Sequence, residues 1–187
     1  MMAPNISVII PVYNGERFIE QTVKSVIDFS FNHDVELIVV DDGSTDSTPD
    51  ILKKFQNLVK LVSTSNQGES SAVNTGIENA SGEILLVVSA DDPIFTAHIF
   101  ENVEEFFVKH PKAVALYSDW RLINEHNELL QLKFPGRFSE EELIGNFHCQ
   151  PGPGTFFKRS SAISIGGRSS RWKFVGDYDF WLRLSRV

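Results

Sequence analysis

Residues 7–15, SVIIPVYNG, and residues 36–46, ELIVVDDGSTD, decide how this chain folds. Each stretch joins a short, nearly continuous run of apolar, mostly β-branched residues to a polar turn, a pattern typical of parallel strands buried on both faces. Two further runs of this kind occupy residues 84–88 and 114–117, and a weaker one lies at residues 59–62. The sequence therefore predicts several buried strands that run in one direction.

The segments between these strands have the spacing of amphipathic helices. After Asn14 and Gly15, for example, apolar residues recur on one helical face from Phe18 to Ile27. Strands that alternate with helices through residue 118 predict a doubly wound α/β fold, in which helices flank a mostly parallel central sheet.

The remainder of the chain, residues 119–187, is less regular. Glycine and proline cluster there, so we expect loops and short strands before a last helix that begins near Asp177. The chain stops at Val187 in mid-pattern and without a C-cap, from which we expect a protein truncated at its C terminus. We expect residues 1–187 to form a single domain.

Charge and composition argue against several classes of protein. The formal net charge of -8 leaves no basic stripe to replace phosphate counterions, so we expect no nucleic-acid partner. A single cysteine, Cys149, excludes an internal disulfide and fits a reducing compartment. The N terminus lacks the features of a signal peptide, and no apolar run approaches the roughly 20 residues that cross a bilayer. We therefore expect a cytoplasmic protein.

The acidic pair Asp41-Asp42 directly follows one strand of the predicted sheet, and a second pair, Asp91-Asp92, comes after Ser89 and Ala90 at the end of another. The carboxyl ends of parallel strands meet at the edge where open α/β sheets bind ligands. Carboxylates gathered there repel one another unless hydrogen-bond donors or a cation lie between them, and a divalent metal would meet that need. Taken alone, each pair is also compatible with turn and helix-capping chemistry. The sequence has neither G-x-G-x-x-G after the first strand nor G-x-x-x-x-G-K-[ST], which argues against a dinucleotide dehydrogenase and a P-loop NTPase.

Several blocks, in order along the chain, resemble the family 2 glycosyltransferases, which are inverting enzymes of the GT-A fold. They are VIIPVYNG at 8–15, ELIVVDDGSTD at 36–46, NQG at 66–68 with AVNTGI at 72–77, ASGE at 80–83, ADD at 90–92 and DYDFWLR at 177–183. The resemblance implies a Rossmann-like GT-A domain. Its nucleotide-sugar-binding half would span about residues 1–118, and its acceptor and catalytic half about residues 119–187.

The resemblance also implies roles for individual residues. Asp91 matches the last aspartate of the family's D-x-D motif, which holds Mn²⁺ or Mg²⁺ against the donor diphosphate, and Asp177 matches the catalytic base. The residues expected to form the donor nucleotide site are Pro11, Tyr13, Asn14, Asp41, Asp42, Asn66, Gly68, Asn74 and Asp91. The acceptor side would include Asp179, which is the neighbouring alternative base, together with Gln150, Thr155 and the loop residue Trp172.

Two positions differ from the family's pattern. Ser89 stands where the D-x-D motif has its first aspartate, and Gly176 stands where an acidic residue often precedes the catalytic base. These differences favour one alternative hypothesis, a non-catalytic nucleotide-sugar-binding module of the same fold. A second alternative, a nucleotidyltransferase, would need a glycine-rich basic phosphate loop after the first strand, where only Glu16 and Arg17 follow Gly15.

The leading hypothesis is metal-assisted transfer of a sugar from a nucleoside-diphosphate sugar to a hydroxyl group. The resemblance favours a UDP-sugar as donor and a saccharide or lipid-linked acceptor, as in polysaccharide biosynthesis for the cell envelope. It also implies peripheral attachment at the cytoplasmic face of the membrane, through a part of the protein beyond Val187.

Overall fold

The computed structural model describes residues 6–30, 33–96, 98–146, 151–172 and 175–187. The strands in these residues are β1 (Ile6–Val12), β2 (Val35–Asp41), β3 (Lys60–Ser63), β4 (Ile84–Val87), β5 (Ala115–Leu116), β6 (Trp120–Ile123), β7 (Leu129–Lys133) and β8 (Phe156–Lys158). The helices are α1 (Ile19–Ser30), α2 (Thr48–Lys53), α3 (Glu69–Asn79), α4 (Ile99–Lys109), α5 (Glu140–Asn146), α6 (Arg159–Ser164) and α7 (Gly176–Leu184).

Six strands form the central sheet, in the order β3-β2-β1-β4-β8-β5. The neighbours from β3 to β4 are parallel, whereas β8 runs antiparallel to both β4 and β5. The α/β fold with a mostly parallel sheet predicted from the sequence is therefore confirmed. The run at residues 114–117 contributes only Ala115–Leu116 to the sheet, and it pairs with β8 because β8 lies between β5 and the parallel strands.

Helices cover both faces of this sheet because its central strands are apolar on both sides. β1 is buried along its whole length. Val8 and Ile10 pack in one core with residues of α1, α2 and α4, whereas Ile9 packs in a second core with residues of α3, α6 and α7. This doubly wound arrangement leaves the loops after β1, β2 and β4 together at the carboxyl edge of the sheet.

The hairpin of β6 and β7 forms a separate two-stranded antiparallel sheet. It carries much of the exposed apolar surface of the described residues, including Leu129, Leu130 and Leu132. Among the helices that the structure describes, none is both long enough and apolar enough to span a bilayer.

Close packing of α3 on β1 depends on Gly76. A Cβ atom at Gly76 would lie 2.2 Å from Cγ2 of Ile9, a buried residue of β1. We expect Gly76→Ala to lower the free energy of unfolding by about 1–3 kcal/mol, because the overlap outweighs alanine's higher helix propensity. Urea denaturation would measure the change.

The matched control for this substitution is Gly145→Ala in α5, where a Cβ atom would meet nothing within 4 Å. That variant should be as stable as the wild type or more stable, by up to about 1 kcal/mol. Equal stabilities for the two variants would contradict the account of α3 packing.

Candidate active site

Asn14 joins the loops that follow β1 and β2. Its side-chain oxygen accepts hydrogen bonds from the backbone amides of Thr45 at 2.8 Å and Asp46 at 3.3 Å. The backbone amide of Asn14 donates a hydrogen bond to Ser44 Oγ at 2.9 Å. Asn14 adopts a φ of 53°, a left-handed conformation that asparagine tolerates better than most residues. Its side chain is therefore committed to holding the two loops together beside Tyr13, which is about half exposed.

The pair Asp41 and Asp42 is buried, and hydrogen-bond donors of the protein satisfy it. Asp41 Oδ1 accepts a hydrogen bond from the amide of Ser44 at 3.0 Å, closing the turn after β2. Asp42 is 3% exposed and accepts hydrogen bonds from the Gln67 amide at 2.9 Å and the Gly68 amide at 2.7 Å. Of the two solutions the sequence allowed for this pair, hydrogen-bond donors or a cation, the fold supplies the donors.

Asp42 thereby orders the loop between β3 and α3. Its Oδ1 also accepts a hydrogen bond from Thr64 Oγ1 at 2.7 Å, so one carboxylate links three points of this loop. Asn66, with a φ of 37°, lies exposed between them. Pro11, by contrast, is buried within β1.

The acidic loop after β4 is positioned by α1. Thr22, which is fully buried in α1, donates a hydrogen bond to the carbonyl oxygen of Ala90 at 2.8 Å. Ser25 Oγ accepts one from the amide of Ile94 at 2.9 Å. The sequence did not indicate either contact, because the partners lie about seventy residues apart and neither serine nor threonine stands out on an amphipathic helix.

Asp92 lines a cavity at the carboxyl edge of the sheet, whereas its neighbour Asp91 is exposed and does not line this cavity. Burial raises the pKa of Asp92, and the nearby charge of Asp91 raises it further, while a hydrogen bond from Ser89 opposes the shift. A cation near the two aspartates would favour their charged forms and so lower the pKa of Asp92.

This cavity has a volume of about 320 Å³ and lies between the loop after β4 and helix α7. The residues that line it include Ser89, Asp92, Thr155, Arg168 and Asp177. Thr155 is buried and donates a hydrogen bond to the carbonyl oxygen of Gly152 at 2.6 Å. The cavity therefore lies between the loop after β4 and Asp177, in the first turn of α7, although Asp177 comes 85 positions after Asp92.

A second cavity, of about 570 Å³, adjoins α3 and α7. Its lining residues are Gln67, Gly68, Glu69, Ser70, Arg168, Ser170, Trp172, Gly176 and Asp177. Trp172 is 41% exposed, and the guanidinium of Arg171 lies 5.0 Å from the centre of its ring. Glu69, Arg168 and Asp177 line both cavities.

Other residues predicted for the site have different surroundings. The Asn74 side chain forms two hydrogen bonds with the Arg168 backbone, from Nδ2 to the carbonyl oxygen and from the amide to Oδ1, both of 2.8 Å. Asp179 accepts a hydrogen bond from Arg183 Nε at 2.8 Å within α7 and lines neither cavity. Gln150 lies outside the described residues.

Arg168, which lines both cavities, is not marked by any sequence pattern. No motif contains it, and its backbone contact with Asn74 joins residues 94 positions apart. Only the packing of the loop between α6 and α7 against α3 reveals it.

In the part of the chain that the structure describes, few side chains are grouped as ligands for a divalent metal. Within the described ranges, no three His, Cys, Asp or Glu side chains are grouped so that they could hold an ion. Mg²⁺ and similar ions are, however, commonly bound through one or two carboxylates together with the phosphates of a substrate. Asp91 and Asp92, two adjacent carboxylates in the loop after β4, fit that mode.

Comparison with known proteins adds a family and a fold. The family model described as Glycosyl transferase family 2 matches residues 7–166. The chain is 37% identical to the minor teichoic acid biosynthesis protein GgaA of Bacillus subtilis, over 95% of this chain and 42% of GgaA. It is 30% identical to an uncharacterized glycosyltransferase of Rickettsia typhi, over 99% of this chain and 60% of the relative. The chain thus spans about half the length of these relatives.

Two solved structures share the fold. TarS of S. aureus, in complex with UDP, matches with a TM-score of 0.72 and 22% identity, over 94% of this chain and 53% of TarS. The mannosyltransferase PcManGT of Pyrobaculum calidifontis, in complex with GDP-Man and Mn²⁺, matches with a TM-score of 0.74 and 19% identity, over 98% of this chain and 52% of PcManGT. The fold of the chain is the GT-A fold of these transferases.

Proposed function

Because the chain belongs to glycosyl transferase family 2, we propose that it is an inverting glycosyltransferase that moves a sugar from a nucleoside-diphosphate sugar to an acceptor hydroxyl. The observation that supports this proposal is the cavity of about 320 Å³ in which Asp177 lies with Ser89 and Asp92. Asp177 is a carboxylate that can accept a proton. In this cavity it lies close to the acidic loop at the carboxyl edge of the sheet, where ligands of α/β sheets bind.

The proposed chemistry is a single displacement. Asp177 takes the proton of the acceptor hydroxyl as the hydroxyl oxygen bonds to the anomeric carbon of the donor sugar. The bond from that carbon to the diphosphate oxygen breaks on the opposite face, so the configuration inverts and the nucleoside diphosphate leaves. Asp91 and Asp92 are the residues proposed to hold Mn²⁺ or Mg²⁺, which when bound offsets the charge of the departing diphosphate.

The donor is proposed to be a UDP-sugar. TarS, which shares the fold, forms complexes with UDP and with UDP-GlcNAc, and Tyr13 lies about half exposed at the edge where a base would stack. Pro11, Asp41, Asp42, Asn66, Gly68 and Asn74 stay in the proposal as residues of the donor side. For Asn14, Asp42 and Asn74 the proposed contribution is to shape that side, since their side chains bind neighbouring loops.

The acceptor is proposed to be a saccharide or lipid-linked saccharide of the cell envelope, which the similarity to GgaA supports. Thr155 and Trp172 line cavities that contain Asp177, so they are proposed to belong to the acceptor side. We further propose a cytoplasmic location at the inner face of the membrane, and one domain with its donor half before about residue 118.

A non-catalytic nucleotide-sugar-binding module is the second candidate function. Ser89 and Gly176 favour it, since neither supplies the carboxylate that the family often has at these positions. Turnover separates the two functions, because a pure binder would bind the donor without releasing nucleoside diphosphate.

Titration with UDP, GDP, CDP and TDP, each with Mn²⁺ and with EDTA, tests the donor site by calorimetry. We expect metal-dependent binding of UDP, and a loss of at least about tenfold in affinity on Asp91→Ala or Asp92→Ala, because a charge-assisted contact is lost. Glu105→Gln, an exposed substitution in α4, serves as the control and should leave UDP affinity unchanged. Failure of all four nucleotides to bind would overturn the proposal.

A further inference from the structure

Arg168 is a buried cation whose hydrogen bonding is incomplete. Its side chain is 9% exposed, and Nη1 donates to Glu69 Oε1 at 2.7 Å. Its Nε atom is buried without a hydrogen-bond partner among the described residues. An unpaired donor on a buried charge is costly, and the guanidinium fork can serve two oxygens of one anion. The arginine is therefore equipped for an anionic ligand larger than the single carboxylate oxygen it holds.

The loop that carries Arg168 is built to fix it in place. Asn74 of α3 holds the Arg168 backbone through two hydrogen bonds of 2.8 Å. The preceding Gly167 has a φ of 69°, and a Cβ atom there would lie 2.4 Å from Asn74 Oδ1. The backbone at Arg168 is thus held rigidly, which lowers the entropic cost of binding a ligand to its side chain.

Glu69, the ion-pair partner, is easily displaced. Its side chain is 70% exposed, so water can solvate the carboxylate once an incoming anion has taken its place on the guanidinium. It is the first residue of α3, an eleven-residue helix whose N-cap is Gly68, so no side chain caps the amides of the first turn. Uncapped amides at a helix N-terminus favour phosphate and other anions. Glu69 is the acidic residue of this first turn, and its carboxylate would compete with such an anion for Arg168.

We propose that Arg168 and the first turn of α3 bind a phosphate group of the acceptor, which displaces Glu69 from the guanidinium. The acceptor would then be a phosphorylated saccharide or polyol, or a polymer that carries phosphodiesters. The assignment to an acceptor rests on the proposed function, because it takes Asp177 as the base that receives the proton of the acceptor hydroxyl.

The position of Arg168 relative to Asp177 favours the acceptor over the donor. The cavity of about 570 Å³ contains Arg168 and Asp177 but neither Ser89 nor Asp92, which line only the smaller cavity of the two. Of the residues predicted for the donor site, Gly68 alone lines this larger cavity. It therefore extends from Asp177 away from the acidic loop.

The electrostatics of the cavity support a role for this arginine. The chain carries a net charge of -8, and Asp177 and Glu69 add negative charge to the cavity itself. Arg168 is the cation that lines both cavities within the described residues. Without it, a phosphate would approach Asp177 against uncompensated repulsion.

Titration with glycerol 3-phosphate, followed by NMR at the Arg168 Nε–H resonance, tests the proposal. Glycerol is the matched uncharged probe. We expect saturable shifts with glycerol 3-phosphate alone, and the same shifts when UDP and the diamagnetic Mg²⁺ are already at saturation. Arg168→Gln should weaken binding at least about tenfold, followed on the amides of Glu69 and Ser70, because the charged donor is lost.

Glu69→Ala keeps the test decisive if Arg168→Gln does not fold, since Glu69 is exposed. Removing this competing carboxylate should tighten glycerol 3-phosphate binding by about fivefold or more, because the phosphate no longer has to displace Glu69 from the guanidinium. Unchanged or weaker binding in Glu69→Ala would overturn the proposal, as would the absence of saturable binding to the wild type.

Competition between UDP and glycerol 3-phosphate would assign the site to the donor diphosphate and overturn the acceptor assignment. Failure of the proposed function is seen separately, as loss of nucleotide binding or of turnover, while the phosphate titration of Arg168 can still be read.

Discussion

Asp177→Asn should lower turnover by about 10²- to 10⁴-fold, the usual contribution of a positioned general base. Asparagine keeps the shape of the side chain but cannot take the proton of the acceptor hydroxyl. Affinity for UDP should stay unchanged, because Asp177 on α7 is not among the proposed donor contacts. Release of UDP from a UDP-sugar measures turnover, and calorimetry measures affinity.

Asp179→Asn is the matched control, two residues further along α7. Asp179 forms an ion pair with Arg183, which also donates hydrogen bonds to the carbonyl oxygens of Ile165 and Gly167. This substitution should cost up to about 1 kcal/mol of stability and leave most of the turnover. Full turnover in Asp177→Asn, or equal losses in both variants, would contradict the assignment of the base.

Asp42→Asn should lower the free energy of unfolding by about 2–3 kcal/mol, because buried hydrogen bonds to a charged acceptor are lost. The carboxylate accepts hydrogen bonds from Thr64, Gln67 and Gly68, and an amide cannot accept with both of its side-chain atoms. The loop before α3 should lose order, and UDP affinity should fall at least about tenfold with it. Urea denaturation and calorimetry measure the two effects.

Asp50→Asn provides the comparison for this buried aspartate. Asp50 lies in α2 with a side chain that is 79% exposed and an ion pair to Lys53. Its replacement should change stability by less than about 0.5 kcal/mol and should not change UDP affinity. If Asp42→Asn were equally harmless, the loop between β3 and α3 would not depend on the buried carboxylate.

The parallel core of the fold could be read from the sequence because its signals are local. A strand buried on both faces needs a continuous apolar run, as in residues 8–12 and 37–40, whatever its neighbours are. The helices between these strands show their own periodicity. Turn residues follow the strands, as Asn14 and Gly15 follow β1. The position of the acidic pairs at the carboxyl edge followed from strand direction alone.

The tertiary structure alone decided how those polar residues are used. Asp42 binds backbone amides of a loop more than twenty residues away, and Asp92, not Asp91, lines the cavity with Asp177. Adjacent residues in a turn have no periodicity that would tell which of them is turned inward. The roles of Asp91 as a metal ligand and of Asp177 as the base stay predictions.

Arg168 shows the same limit most clearly. Its place between the two cavities depends on contacts with Asn74 and Glu69, 94 and 99 positions earlier in the chain. The antiparallel strand β8 likewise took its place beside β4 through long-range pairing. Local patterns determined which segments before about residue 118 are strands and helices, because backbone preferences and burial act over a few residues. Helices α5 and α6 lie where we expected only loops and short strands, so that expectation was wrong there. Side-chain partners across the sheet were decided only when the distant segments packed together.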